Sequence, residues 1–322
     1  MLDSLDVIPK ELPIPPPMRP ASAAALRTKR RGIFVSRHGE RADYAYHKRG
    51  ENWQSQARRP WDTPMTAGGH KQGEAMGAAA AAHAERLGLA NIEWILCSPL
   101  LRCVETAAAA ATALGVKTVS LEPDLCETMC EDWYRSWGVP GADSTWGGPR
   151  DCRRGVDVAE DALHPMALEP AAATHATAAT IGALRGASLS PLGAAVAVED
   201  AAYDPPRGER DEFDYRWGCF ETDAQMNARY KGVLQRAHSS LPGTGSVLLV
   251  GHGGPTAGLY RAFAGGDKAG CCGYTALYAY VKDSDGLHFP SCWDAPLVAD
   301  HAHLDTVPNA ERGGRNDGAE QA

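Results

Sequence analysis

Five short apolar runs, set apart by stretches with helical patterns, limit this chain to alternating α/β architectures. The runs are Gly32-Ile33-Phe34-Val35-Ser36, Ile92 to Cys97, Val116 to Leu121, Ser246-Val247-Leu248-Leu249-Val250, and Ala276 to Val281. Short runs of this kind, rich in β-branched residues and bounded by glycine or charge, read as buried strands. Thr66 to Leu87, Pro99 to Leu114, Ala224 to Leu241 and Pro255 to Phe263 read as helices. The alternation predicts an α/β fold with a mostly parallel central sheet flanked by helices. Ser98-Pro99 predicts an N-cap serine before a proline at the first helical position, and Gly115 predicts the end of that helix.

The chemistry gathers where these runs end, as ligands do in open α/β sheets. Arg37-His38-Gly39-Glu40-Arg41 closes the first run. Cations on both sides hold an anion, and their repulsion of a further positive charge keeps the imidazole neutral. Cys97-Ser98-Pro99-Leu100-Leu101-Arg102 sets Arg102 in the first turn after the second run. Gly251-His252-Gly253-Gly254 follows the fourth run, and Leu121 to Glu127 supplies acids after the third. Singly, Arg102 reads as a surface residue, His252 as a partner for backbone groups and Glu127 as a solvated acid. Their joint position after successive strands points to one anion pocket.

Composition narrows the partners. The 322 residues suffice for one large or two ordinary domains, and the 44% hydrophobic and 22% charged content fits a globular protein. A formal net charge of -8 argues against nucleic acid as a partner, so any basic pocket must be local. Apolar runs are too short for a membrane helix. The basic cluster Arg27 to Arg31 follows the proline-punctuated start, where a secretory signal would have it first, and reads as a solvated lead-in. The nine cysteines form no paired C-x-x-C spacing. Reduced thiols, no membrane partner and a cytoplasmic location follow as expectations. His301-Ala302-His303 lacks further ligands nearby, so neither a metal nor another cofactor is expected.

Three regions are expected: an extended or disordered segment at 1–30, one domain at 31–300, and a flexible tail at 301–322. An insertion at about 128–223, rich in Trp, Gly, Pro and Asp, interrupts the domain, with helix suggested around Ala171 to Leu184. Its length and position suggest a cap over the active site.

The motifs together resemble the histidine phosphatase superfamily, also called phosphoglycerate mutase-like. The resemblance is carried by Arg37-His38-Gly39, by Pro64, Thr66, Gly69 and Gln72, by Ser98, Pro99, Arg102, Thr106 and Ala107, and by Val250, His252 and Gly253. The longer matches are similar to branch 1, nearest the Sts-type and ecdysteroid-phosphate phosphatases. The resemblance implies that His38 is a nucleophile forming a phosphohistidine, and that Arg37, Arg41, Arg102 and His252 hold the phosphoryl oxygens. Glu127 matches the acid that protonates the leaving oxygen, with Glu122, Asp124 and Glu131 as neighbouring alternatives. Arg41 departs from the mutases and fructose-bisphosphatases, and Gly253 after His252 departs from the acid phosphatases and phytases.

A metal-independent phosphatase acting on phosphomonoesters is the activity the resemblance implies, with a phosphorylated small molecule or phosphopeptide as substrate. A phosphoglycerate mutase-type phosphotransferase is the alternative. A non-catalytic interaction module, using the proline-rich start or the Trp-rich insertion, is the third; Trp133, Trp137, Trp146 and Trp217 of the insertion read as core or lid packing, with the lining of an aromatic substrate pocket as the alternative. A homodimer is the oligomer expected on general grounds.

Overall fold

The computed structural model describes residues 29–53, 62–127, 197–199, 222–264, 272–282 and 293–313. The strands are β1 (Gly32–Arg37), β2 (Ile92–Cys97), β3 (Thr118–Leu121), β4 (Ala197–Glu199), β5 (Ser246–Gly251), β6 (Leu277–Lys282) and β7 (Trp293–Asp300). The helices are α1 (Ala42–Lys48), α2 (Ala67–Arg86), α3 (Leu101–Leu114), α4 (Asp223–Ser239) and α5 (Gly253–Ala264). The strands form one seven-stranded sheet in the order β4-β3-β2-β5-β1-β6-β7. The first five are mutually parallel, and β6 runs antiparallel to both its neighbours. The expected α/β class and mostly parallel sheet are therefore present.

Alternation along each strand sorts its side chains between two layers. Phe34, Ile95, Val119, Leu248 and Val250 pack under α2 and α3. Ile33, Val35, Leu96, Val247 and Leu249 pack under α4 and α5, through Tyr230, Val233, Leu234, Leu259 and Phe263. Both faces being covered, β1 and β5 are buried along their whole length. Each large apolar side chain removed from water contributes about 1.5–3 kcal/mol. Helices α2 and α3 approach closely: a Cβ at Gly77 would lie 2.7 Å from the Ala110 carbonyl oxygen. The alanines of α3 leave room for that approach.

Three elements were not read from the sequence. Helix α1 is only seven residues long and its N-cap, Arg41, makes no side-chain cap bond. It is held from outside, by Ala42 N–H to the Pro64 carbonyl and Asp43 N–H to the Thr63 hydroxyl. Strand β7 contains Pro296 and stands at an edge of the sheet, where the missing N–H is tolerated. Strand β4 lies within the insertion and extends the other edge by pairing with β3.

Two local readings need correction. Ser98 does not cap α3. The helix begins at Leu101, and the buried Asp62 carboxylate accepts the Leu101 N–H at 2.6 Å. Nor is Arg31 a solvated residue of the lead-in. Its guanidinium donates to the carbonyls of Ala237, His238, Leu241, Pro242, Gly243 and Gly245, closing the C-terminal end of α4. Gly115 does end α3, in the left-handed conformation at φ 67°.

The polar composition of 301–322 reads as a flexible tail, and residues 301–313 carry bonds back to the body. Gln72 Nε2 donates to the Glu311 carbonyl at 2.7 Å, and Tyr274 N–H to that of Arg312 at 2.8 Å. His303 Nε2 meets the Thr275 hydroxyl at 3.0 Å. The segment 1–28, the rest of the insertion with its suggested helix and cap, Trp133, Trp137, Trp146, Trp217 and Glu131 lie outside the described residues.

Candidate active site

The parallel strands deliver four motifs to one rim of the sheet. Backbone bonds carry the ladder one step beyond the strand ends: His38 N–H to Gly251 O at 2.9 Å, Ser98 N–H to Val250 O at 3.0 Å, and Glu122 N–H to Cys97 O at 2.8 Å. His38 and His252 thus stand on adjacent strand ends, with ring centroids 5.5 Å apart.

His38 is buried, and its Nδ1 lies 2.7 Å from the Gly39 carbonyl. A carbonyl only accepts, so Nδ1 carries the hydrogen and Nε2 keeps its lone pair. Burial, then the guanidinium groups of Arg102, Arg37 and Arg41, hold the His38 pKa well below the usual histidine range. The ring is therefore neutral at pH 7 and nucleophilic at Nε2. The loop that follows is tight: a Cβ at Gly39 would sit 2.6 Å from the Gly69 carbonyl oxygen.

The three arginines are held differently. Arg37 donates to the Cys272 carbonyl at 3.0 Å and stacks 4.4 Å over the Tyr274 ring. Arg102 is fully buried in the first turn of α3, and its Nη2 donates to His252 Nδ1 at 3.2 Å. Arg41 is paired with buried Asp43 through Nε at 3.0 Å and Nη2 at 2.5 Å. Asp43 was not singled out in the sequence, although an acid two residues beyond an arginine offered a weak signal.

A guanidinium cannot accept, so His252 Nδ1 is the acceptor from Arg102 and Nε2 carries the hydrogen. Nε2–H donates to the Ser98 hydroxyl at 2.9 Å. The Ser98 hydroxyl thus serves His252, and it also accepts the Leu100 N–H at 3.3 Å, one residue before α3. Burial, followed by Arg102, holds the His252 pKa well below the usual range.

Among the acids, the geometry separates the alternatives. Glu122 Oε1 accepts the Asp124 N–H at 2.9 Å, and Arg236 Nη2 sits 3.4 Å from Glu122 Oε2 and 2.6 Å from Asp124 Oδ2. Glu127, partly exposed, brings Oε2 to 3.5 Å from His252 Nδ1. Of the described candidates Glu127 is the one beside His252.

Supporting contacts lock the motifs together. Glu40 accepts the Thr66 hydroxyl at 2.6 Å, while Thr66 caps α2 by accepting the Gly69 N–H at 2.9 Å. Gln72 accepts the Glu40 N–H at 2.8 Å, and the Thr106 hydroxyl accepts the Gly39 N–H at 2.9 Å. These motif residues hold the histidine loop in place. Among the described residues no group of histidine, cysteine and acidic side chains could hold a metal ion. Cys97, Cys103, Cys126 and Cys272 are free thiols.

Residues 33–137 match the family model described as the histidine phosphatase superfamily (branch 1). This segment belongs to that superfamily. It contains β2, β3 and all but the first residue of β1, with most of the site residues, while His252 lies beyond it, just after β5. The ecdysteroid-phosphate phosphatase of Drosophila melanogaster is 30% identical over 148 residues, 38% of this chain. The match spans 19% of that protein's length. The tungstate-bound ecdysone phosphate phosphatase from Bombix mori is similar over 83% of this chain and 92% of its own, at 17% identity and a TM-score of 0.43. A phosphoglycerate mutase from Bacillus anthracis str. Sterne is similar over 86% and 96%, at 15% identity and a TM-score of 0.45. No helix among the described residues is long and apolar enough to cross a membrane.

Proposed function

We propose that the protein is a phosphatase that hydrolyses phosphomonoesters through a phosphohistidine on His38. The observation that carries this reading is the neutral His38 ring, its Nε2 lone pair kept available by the Gly39 carbonyl, within the field of Arg37, Arg41 and Arg102. A phosphomonoester brings a charge of about -1.5 to -2 near neutral pH. Arginines are suited to its oxygens because their donors are fixed and always charged.

In the first step Nε2 attacks phosphorus and the ester P–O bond breaks. Glu127 gives its proton to the leaving oxygen. In the second step water attacks the phosphohistidine, Glu127 takes the water's proton, and inorganic phosphate leaves. Arg37, Arg41 and Arg102 balance the charge that develops on the equatorial oxygens. His252, neutral and accepting from Arg102 Nη2 at Nδ1, holds that guanidinium in place among them. The cationic charge is supplied by arginine, so activity is expected to persist in a chelator. Phosphorylated small molecules and phosphopeptides both fit a pocket of this kind, in a reduced, cytoplasmic setting.

His38→Ala, assayed with p-nitrophenyl phosphate, tests the reading. Loss of phosphate release is expected in the variant, together with loss of the acid-labile phosphoryl adduct expected of the wild-type protein. Wild-type turnover by the variant would overturn it. Isomerisation of 3-phosphoglycerate without net phosphate release would identify a phosphotransferase instead.

A further inference from the structure

We propose that Arg229 of α4 is a positioning residue for proton donation to the leaving group, because it fixes the backbone that carries Glu127. The inference rests on the reading of Glu127 as the acid.

The grip is specific. Arg229 Nη1 donates to the carbonyls of Asp124 at 2.5 Å and Cys126 at 2.9 Å, and Nη2 donates to the Glu127 carbonyl at 3.4 Å. The side chain is buried, with 7% of the residue exposed. The next residue continues the attachment: the Tyr230 hydroxyl donates to the Leu125 carbonyl at 2.6 Å. Four consecutive carbonyls of the acid loop are thereby held by two adjacent residues of one helix.

The same residues fix the distance to the second histidine. A Cβ at Gly251 would lie 2.5 Å from the Tyr230 hydroxyl, so α4 abuts the residue just before His252. Two turns further along α4, Arg236 binds the Glu122 and Asp124 carboxylates. The loop is held to the end of β5 from one side, and the result is the 3.5 Å separation of Glu127 Oε2 from His252 Nδ1. Proton transfer needs reach of about 2.6–3.2 Å to the leaving oxygen, so a small shift of the loop matters. Arginine's fixed fork spreads its donors over separate nitrogens, here Nη1 and Nη2, whereas lysine gathers its three on a single nitrogen.

The test compares two leaving groups. p-Nitrophenolate departs as a stable anion and needs little protonation, whereas glycerol 2-phosphate must release an alkoxide and needs the acid. The ratio of kcat/KM for the two substrates, measured on one sample, cancels any difference in folded fraction. E127Q is expected to lower kcat/KM for glycerol 2-phosphate by about a hundredfold. Arg229→Met is expected to lower it about tenfold, with p-nitrophenyl phosphate changed by less than about threefold and Arg229→Lys intermediate. If Arg229→Met does not fold, Arg229→Lys gives the same reading. A shifted ratio in E127Q with wild-type ratios in the Arg229 variants overturns the role of Arg229 alone. An unshifted ratio in E127Q overturns Glu127 as the acid, and the inference with it.

Discussion

Asp43 takes two of the N–H groups of Arg41, Nε at 3.0 Å and Nη2 at 2.5 Å, with both side chains almost wholly buried. Nη1 faces Tyr44, whose hydroxyl accepts it at 3.4 Å and whose ring lies 4.4 Å from the guanidinium. Removing one half of a buried pair leaves the other charge uncompensated. Asp43→Asn and Arg41→Met are each expected to lower the unfolding free energy by about 3 kcal/mol, and the double variant by less than their sum. Urea denaturation of the four proteins measures this. Additive losses would mean that the two groups do not act as a pair.

Ser98 is the acceptor that keeps the His252 hydrogen on Nε2. Ser98→Ala leaves that N–H buried without its acceptor, at a cost of about 1–3 kcal/mol. It also lets the ring change tautomer beside Arg102. A fall in kcat/KM of about tenfold is expected, since catalytic contacts depend on fixed orientation. Assays with p-nitrophenyl phosphate check it, and unchanged kinetics would remove Ser98 from the support of His252.

Arg31 closes the last turn of α4, where carbonyls lack partners within the helix and a positive charge is favoured. Arg31→Ala is expected to destabilise the protein by about 2 kcal/mol, partly offset because water reaches the outer carbonyls. Lysine, which lacks the fork, should recover less than half of that loss. Thermal or urea unfolding decides between these values and no effect.

His70 is buried at the start of α2, and burial pushes its pKa down to about 4. Glu105 Oε2 lies 3.9 Å from Nε2, too far for a hydrogen bond, and accepts the Met65 N–H at 2.6 Å. An unfolded histidine titrates near 6.5, so between about 4 and 6.5 the unfolded chain binds a proton that the folded one does not. The stabilisation from neutral His70 is therefore full above about pH 6.5 and declines as pH falls, by about 2 kcal/mol at pH 5. His38, His252 and His303 are shifted in the same direction. In His70→Leu the stability lost between pH 7.5 and pH 5 should be smaller by that amount. Equal losses in the two proteins, read by urea unfolding, would exclude the effect.

Much of the scaffold was legible because its signals are local. The run at Gly32 to Ser36 became β1 with one more residue, and Ile92 to Cys97 became β2 without change. The start of α3 was misread because its cap comes from Asp62, remote in the chain, while Ser98 serves His252. Helix α1 has too few residues to persist on its own pattern and depends on Thr63 and Pro64. The Arg41–Asp43 pair and the carbonyl grip of Arg229 were hidden for another reason. An arginine gives the same sequence signal whether it binds substrate, a carboxylate or a row of carbonyls.

By itself the sequence determined five of the seven described strands, their buried character, and which reactive residues stand just beyond their carboxyl ends. Periodicity and turn residues act over a few positions, so neighbours in sequence suffice to read them. The tertiary structure alone decided the order β3-β2-β5-β1, which sets His38 against His252. It also decided which acid stands beside His252, and which nitrogen of each ring carries its hydrogen. Those outcomes follow from burial and from hydrogen-bond partners brought together across the sheet, and no local pattern encodes them.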